Sequence, residues 1–149
     1  MLNRGGRVPD VMLVDADGNP VALSMLTGRP LVLFFYPKDD TPGCTMEACS
    51  FRDAYQSFVD AGAEVIGVSS DSADSHARFR GKHRLPYRLF SDPGGRARRA
   101  FGVPKTLGIL PGRATFVIGA DGAILYAFNS QFQPERHVAN ALQALRFPA

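Results

Sequence analysis

Six consecutive apolar residues, Leu31-Val32-Leu33-Phe34-Phe35-Tyr36, constrain this chain most tightly. They do not alternate with polar residues, so neither face of an extended segment here can meet water, and the stretch is too short for a core helix. Such a segment belongs at the centre of a layered α/β sheet with helices over both faces. It also falls far short of the ~18 apolar residues that a membrane span requires, and no longer run occurs elsewhere.

The partners of this strand come next along the chain. Between residues 41 and 61, apolar side chains stand at 44, 48, 51, 55 and 58, the spacing of one helix face, and Gly62 supplies a stop. Val65-Ile66-Gly67-Val68 is a second buried strand, so the strand, helix and strand make a βαβ unit with a parallel pair. Asp71 or Ser72 caps a helix running to Lys82 and ended by Leu85-Pro86, and residues 87–90 form a short strand. Ser91-Asp92-Pro93-Gly94-Gly95 is a turn, a short helical segment carries Arg96, Arg98 and Arg99, and residues 102–112 are loop.

Segments 114–118 and 123–128 flank Asp121-Gly122 and predict an antiparallel hairpin. A last helix spans 134–145, with Val138, Leu142 and Leu145 on one stripe. Segments 11–14 and 20–23 around Asp17-Gly18-Asn19 predict an N-terminal β-hairpin flanking the main sheet. The expected class is α/β, a thioredoxin-like arrangement with a mixed central sheet flanked by helices.

The 149 residues, 45% hydrophobic and 21% charged, suit one domain spanning 1–149 that folds without disulfide staples. Seventeen Lys+Arg oppose fourteen Asp+Glu, a net charge of +3 too mild and too interspersed to demand a nucleic acid. Met1-Leu2-Asn3-Arg4-Gly5-Gly6-Arg7 carries charge with no apolar region behind it, so no secretory signal is expected and the chain is expected in the cytoplasm.

Two cysteines, Cys44 and Cys49, stand five residues apart. A bridge closing so short a loop adds little stability, so the pair needs another explanation. The segment from Tyr36 to Thr45 joins the central strand to the long helix, at the strand end where open α/β sheets bind ligands. Thr41 can cap that helix and Pro42 suits its first position, which puts Cys44 in the first turn, where unpaired N–H groups and the macrodipole favour an anion. An ordinary thiol with a pKa of ~8.5 is only about 3% ionised at pH 7, and ~90% ionisation needs about 3.4 kcal/mol of preferential stabilisation. A helix end supplies ~0.3 to 2 kcal/mol, so a cation must help. Arg113 is the candidate, because it opens a hairpin strand and a guanidinium pairs with a thiolate while donating to a bound oxygen. It is one of fourteen arginines, most of them expected in solvent. Asp39, Asp40 and Glu47 act in the opposite sense near a thiol, although Glu47 could be neutralised by, and orient, an arginine.

Cys44 shares the apolar stripe with Ala48, Phe51, Tyr55 and Phe58, whereas Cys49 neighbours Arg52, Asp53 and Gln56. Along an ideal helix five residues separate their Cα atoms by about 8.7 Å, beyond the ~4.4 to 6.8 Å of a disulfide. Bonding the two requires the first turns to unwind. Spacing alone serves equally a reactive pair and a buried Cys44 beside an incidental surface Cys49. His76 and His83 lie seven apart on one helix face without a third ligand, so solvated histidines and no metal are expected. Arg78, Arg80, Lys82, His83 and Arg84 suit an acidic partner or nucleic acid, and equally a charged exposed face. Phosphate-loop and Gly-x-Ser-x-Gly patterns are absent.

The string Phe34-Phe35-Tyr36-Pro37-Lys38-Asp39-Asp40-Thr41-Pro42-Gly43-Cys44-Thr45, continued by Glu47-Ala48-Cys49, resembles the active-site signature of peroxiredoxins, more narrowly the bacterioferritin comigratory protein or peroxiredoxin Q subfamily. The similarity extends through Ser91-Asp92-Pro93, Phe101-Gly102-Val103, Arg113-Ala114-Thr115-Phe116 and Asn129-Ser130-Gln131-Phe132-Gln133-Pro134-Glu135. The resemblance implies a thioredoxin fold and reduction of hydrogen peroxide and organic hydroperoxides without metal or organic cofactor. It implies Cys44 as the peroxidatic residue, Cys49 as the resolving residue, and Thr41, Pro42 and Arg113 around the peroxide. It further implies an intramolecular disulfide recycled by thioredoxin or a similar dithiol protein, with no membrane or nucleic-acid partner and no dimer required, so a monomer is expected. Ala114 departs from the hydroxyl residue expected after the arginine, and Gly119-Ala120 from a common acidic turn. The alternative is a general thiol-disulfide oxidoreductase of the same fold, but such enzymes favour a Cys-x-x-Cys offset of three.

Overall fold

The computed structural model describes residues 1–105, 111–130 and 133–146. Residues 106–110, within the stretch expected as loop, and the Gln131-Phe132 pair of the family-like string lie outside the described residues. Strands β1 (Met12–Val14) and β2 (Pro20–Ala22) form the antiparallel N-terminal hairpin. At the centre, β3 (Leu31–Phe35) runs parallel to β4 (Glu64–Ser69), and β4 runs parallel to β5 (Arg88–Ser91). On the other side of β3 lies β6 (Ala114–Ile118), antiparallel to β3 and to β7 (Ile124–Asn129). The seven strands make one mixed sheet in the order β2-β1-β5-β4-β3-β6-β7, with the hairpin joined through Val14 opposite Ser91.

Both faces of β3 are covered, as a non-alternating apolar run demands. Val32, Phe34 and Tyr36 pack with Cys44, Ala48 and Phe51 of α1 (Pro42–Asp53), and with Ala141 of α5 (Pro134–Arg146). Leu31, Leu33 and Phe35 pack the opposite way, against Leu13, Phe90, Phe116 and Phe101 beyond α4 (Arg96–Ala100). The Phe34 and Phe51 rings stack at 4.4 Å, tying the strand to the helix that follows it, a contact worth about 0.5 to 1.5 kcal/mol beyond burial. Gly67 of β4 makes room for this, since a Cβ there would lie 2.8 Å from both Phe34 Cζ and Leu89 Cδ2.

Three expectations shift. The single helix expected over 41–61 is broken at Ala54, where φ −95° and ψ 4° end α1 and start α2 (Tyr55–Asp60). The break keeps Phe58 on the sheet beside Phe51 at 5.6 Å while Tyr55 is only half-buried. The short strand expected over 87–90 is displaced by one residue, to 88–91, where its residues pair with β4 from Ile66 to Ser69 and Ser91 also pairs with Val14 of β1. In α3 (Ala73–His83), capped by Ser72 as expected, His76 is 1% exposed rather than solvated.

Candidate active site

The six-residue connection from β3 to α1 sets the site's position. Tyr36 is buried at its start, and its hydroxyl donates to Asp39 Oδ1 at 2.5 Å. Asp39 Oδ2 in turn lies 2.7 Å from His76 Nδ1 and accepts from Ser75 Oγ at 2.8 Å, while the Asp39 backbone N–H donates to Asp71 Oδ2 at 2.8 Å. These bonds pin the loop to α3. Asp39, Asp71 and His76 bring ligand-type atoms within 4.8 Å of one another. A 2.7 Å separation is that of a hydrogen bond, however, and two ligands of a tetrahedral metal at ~2.0 to 2.1 Å stand about 3.3 Å apart. The group is an anchor.

Asp40 sits with φ 62°, a left-handed conformation unusual for a side-chain-bearing residue, and pairs with Lys82 at 3.0 Å. That lysine, with His83 adding to it, holds the Asp40 carboxyl below its usual pKa. Asp39 and Asp40, expected to oppose a charged thiol, are thus engaged by α3. Thr41 occupies the N-cap position and Pro42 the first turn, as expected, but the Thr41 hydroxyl does not cap α1. It donates to the Lys38 carbonyl at 2.9 Å, because the tight loop brings that acceptor under it.

Cys44 lies in the first turn of α1 and is 1% exposed. Arg113, at the residue before β6, is 2% exposed and donates from Nη2 to Cys44 Sγ at 3.4 Å and from Nη1 to Glu47 Oε1 at 2.8 Å. One planar fork therefore spans two residues one helical turn apart on α1. Against the penalty of burial, Glu47 and Cys44 hold the Arg113 guanidinium above its ordinary pKa. A Cβ at Gly43 would meet Arg113 Nη2 at 3.1 Å, so glycine there gives the guanidinium its approach. Burial pushes the Glu47 carboxyl up to about 8, although Arg113 pulls the other way.

A second buried cation lies within electrostatic reach of the sulfur. Arg98 of α4 donates to the Gly112 carbonyl at 2.5 Å and to the Tyr36 carbonyl at 3.0 Å, with its guanidinium 5.5 Å above the Phe35 ring. Burial lowers its pKa, while Asp92 and Cys44 act in the opposite direction. Asp92 also accepts from the backbone N–H groups of Ala97 and Arg98 at 2.8 and 3.0 Å, which starts α4 where the arginine must stand. Arg98 was indistinguishable in sequence from Arg96 and Arg99. His137 of α5, likewise missed, is fully buried with Nδ1 2.7 Å from Thr115 Oγ1 and 3.5 Å from Glu47 Oε2. Its place one residue before Val138 and four before Ala141, inside the buried face of α5, was the available signal.

Cys49 is half-buried in the same unbroken helix, near Arg52 and Tyr87 rather than Arg113. The two thiols are free and face different surroundings. The site thus consists of a thiol at a helix start, clamped by a buried guanidinium, with a second thiol five residues further along the same helix.

Residues 5–127 match the AhpC/TSA family model. The chain belongs to that family. It is 49% identical over 146 residues to the chloroplastic peroxiredoxin Q of Oryza sativa subsp. japonica, covering 97% of this chain and 67% of the rice protein. Its fold superimposes on peroxidoxin BcpB from Mycobacterium tuberculosis with a TM-score of 0.89 at 41% identity, covering 98% and 97% of the two chains. A cysteine-to-serine variant of peroxiredoxin Q from Xanthomonas campestris gives 0.88 at 32% identity, covering 99% and 100%. The protein is a peroxiredoxin of the peroxiredoxin Q type with the thioredoxin-like fold, a thiol-dependent peroxidase. Among the described residues no helix is long and apolar enough to cross a membrane.

Proposed function

We propose that this peroxiredoxin reduces hydrogen peroxide and organic hydroperoxides through Cys44 and resolves the product through Cys49. The observation that carries this assignment is Arg113 Nη2 at 3.4 Å from Cys44 Sγ in the first turn of α1. The Cys44 thiolate attacks the terminal peroxide oxygen, the O–O bond breaks, and the sulfur becomes a sulfenic acid while the peroxide leaves as alcohol or water after taking up a proton. Arg113, with Thr41 beside the helix start, lines the two oxygens up and stabilises the charge growing on the leaving one. Pro42, at the exposed opening of α1, limits water at the sulfur.

Cys49 then condenses with the sulfenic acid, releasing water and forming an intramolecular disulfide. Because Cys44 and Cys49 lie in one continuous helix, this step needs the first turns of α1 to open. Thioredoxin or a similar dithiol protein returns the disulfide to two thiols by exchange. Both sulfurs belong to one chain, so the working unit is a monomer with residues 1–149 as one domain. Two cysteines in 149 residues give no disulfide framework, which fits a reducing compartment, and we place the protein in the cytoplasm. The test is a mass spectrum after one equivalent of peroxide. Wild type should lose two hydrogens as the 44–49 disulfide, and Cys49→Ser should gain one oxygen at Cys44 and fail to turn over with thioredoxin. Sustained turnover by Cys49→Ser would remove the resolving role.

A further inference from the structure

The two oxygens of the buried Glu47 carboxyl are served unequally. Oε1 accepts from Arg113 Nη1 at 2.8 Å, whereas Oε2 has no hydrogen-bond partner among the described residues and faces His137 Nδ1 at 3.5 Å. The bonds of His137 decide what Nδ1 can offer. Its Nε2 lies 2.8 Å from the Ser130 carbonyl, which only accepts, so Nε2 carries a proton and donates. Burial holds the His137 pKa down to about 4, so the ring is neutral near pH 7 and Nδ1 is an acceptor, filled by the Thr115 hydroxyl at 2.7 Å. An ionised Glu47 would set two acceptors face to face inside the protein. A protonated Glu47 removes the charge from a buried carboxyl whose second oxygen has no donor, and so relieves that clash.

We propose that Glu47 is a positioning residue that works as a neutral carboxylic acid, with Oε1 accepting from Arg113, a proton on Oε2, and the guanidinium's charge left to the Cys44 sulfur. The proposal deepens the function assigned above and rests on it. Burial, which pushes this carboxyl up to about 8, acts in the same direction. The titratable groups around Glu47 are Arg113 before β6, His137 on α5, Tyr87 before β5 and Cys44 on α1 itself, and Arg113 is the cation among them. Once Glu47 ionises, it competes with the Cys44 sulfur for the Arg113 guanidinium, the cation that bonds both, and the site slows.

Glu47→Gln reproduces the protonated form, since it is uncharged, of the same shape, and keeps a carbonyl that can accept from Arg113. The expected results are a peroxide rate within ~3-fold of wild type at pH 7, and loss of the fall, up to ~10-fold per pH unit, expected of wild type above pH 8. Infrared difference spectra of the two reduced proteins at pH 7 should show a neutral carboxylic acid C=O stretch in wild type that Glu47→Gln lacks. A spectrum without that band, or a Glu47→Gln rate still falling above pH 8, overturns the proposal. If Glu47→Gln does not fold, wild type alone decides: the band must fade in step with the rate as pH rises through 8, and a band-free spectrum at pH 7 overturns the assignment. Sulfenic acid formed in Cys49→Ser without the carboxylic acid band removes only the Glu47 role, whereas no sulfenic acid at all removes the Cys44 assignment.

Discussion

Replacing Arg113 by glutamine keeps a donor for Glu47 but takes the positive charge from beside the sulfur. At 3.4 Å, a unit charge pair in an effective dielectric of about 20 interacts by about 5 kcal/mol, the ceiling on what the guanidinium lends a thiolate. Part of that support survives the substitution. Arg98 still acts on Cys44 electrostatically, and the start of α1 contributes ~0.3 to 2 kcal/mol. The same guanidinium also serves the leaving oxygen, and removing one such preorganised donor costs about 2.7 to 4 kcal/mol. The expected fall in the second-order rate with hydrogen peroxide is therefore ~10² to 10³, read by stopped flow on the reduced protein. Alkylation of Cys44 by iodoacetamide at pH 7 should slow as well, while Cys49, next to Arg52, keeps its wild-type rate. A folded Arg113→Gln protein that still reacts within ~3-fold of wild type would refute the electrostatic account of this site.

Gly43→Ala tests the same contact by displacement. A Cβ 3.1 Å from Arg113 Nη2 forces the guanidinium back, and moving it from 3.4 to ~3.9 Å from the sulfur weakens the pair by about 0.6 kcal/mol, a ~3-fold slower peroxide rate with no loss of folding stability. An unchanged rate in that variant shows that the fork yields freely. Oxidation to the 44–49 disulfide should remove about two turns of helix from the far-ultraviolet signal and expose the α1 amides near Cys44 to hydrogen exchange, and unchanged protection would show closure without unwinding. Stability should also depend on pH through Glu47. With its folded pKa raised to about 8, the native state binds a proton that the unfolded chain has released, so stability falls as pH rises toward 8. His137, lowered to about 4, acts oppositely but only below its ordinary 6.5, leaving the window from 6.5 to 8 to Glu47. In a Cys44→Ser background, urea titrations should lose about 2 kcal/mol across that window, and Glu47→Gln should flatten the slope.

The central strand and the closing hairpin were legible because their residues carry the decision locally. A run of six apolar residues admits only a doubly covered strand, and Asp121-Gly122 between two such segments admits only a tight reversal, where Gly122 indeed has φ 85°. Cys44 was legible from helix-start chemistry, whereas Arg113, one of fourteen arginines, was singled out by the family resemblance more than by the need for a cation. The rest of the site depends on contacts across long sequence separations. Nothing near Arg98 announces that its side chain reaches the carbonyls of Tyr36 and Gly112. Nothing near His76 announces that Asp39, thirty-seven residues earlier, will draw it inward at 2.7 Å. The break at Ala54 is also tertiary, since the apolar stripe continues unbroken through it in sequence.

These long-range contacts explain how one short loop can bring cations to a buried thiol at little expense to folding. Two guanidiniums enter the interior at Cys44, yet each arrives with its donors occupied: Arg98 by two backbone carbonyls, Arg113 by Glu47 and the sulfur itself. A buried cation left unsatisfied is strongly destabilising, so these acceptors are what permit the charges to be there. The same requirement restricts what Glu47 can be. Were it permanently ionised, it would consume the charge that Arg113 brings to the sulfur. As a group whose burial works against its charge, it holds the fork by a hydrogen bond and leaves the field to Cys44. The acid beside the thiol, which in isolation would oppose its ionisation, becomes in this packing the part that aims the cation at it.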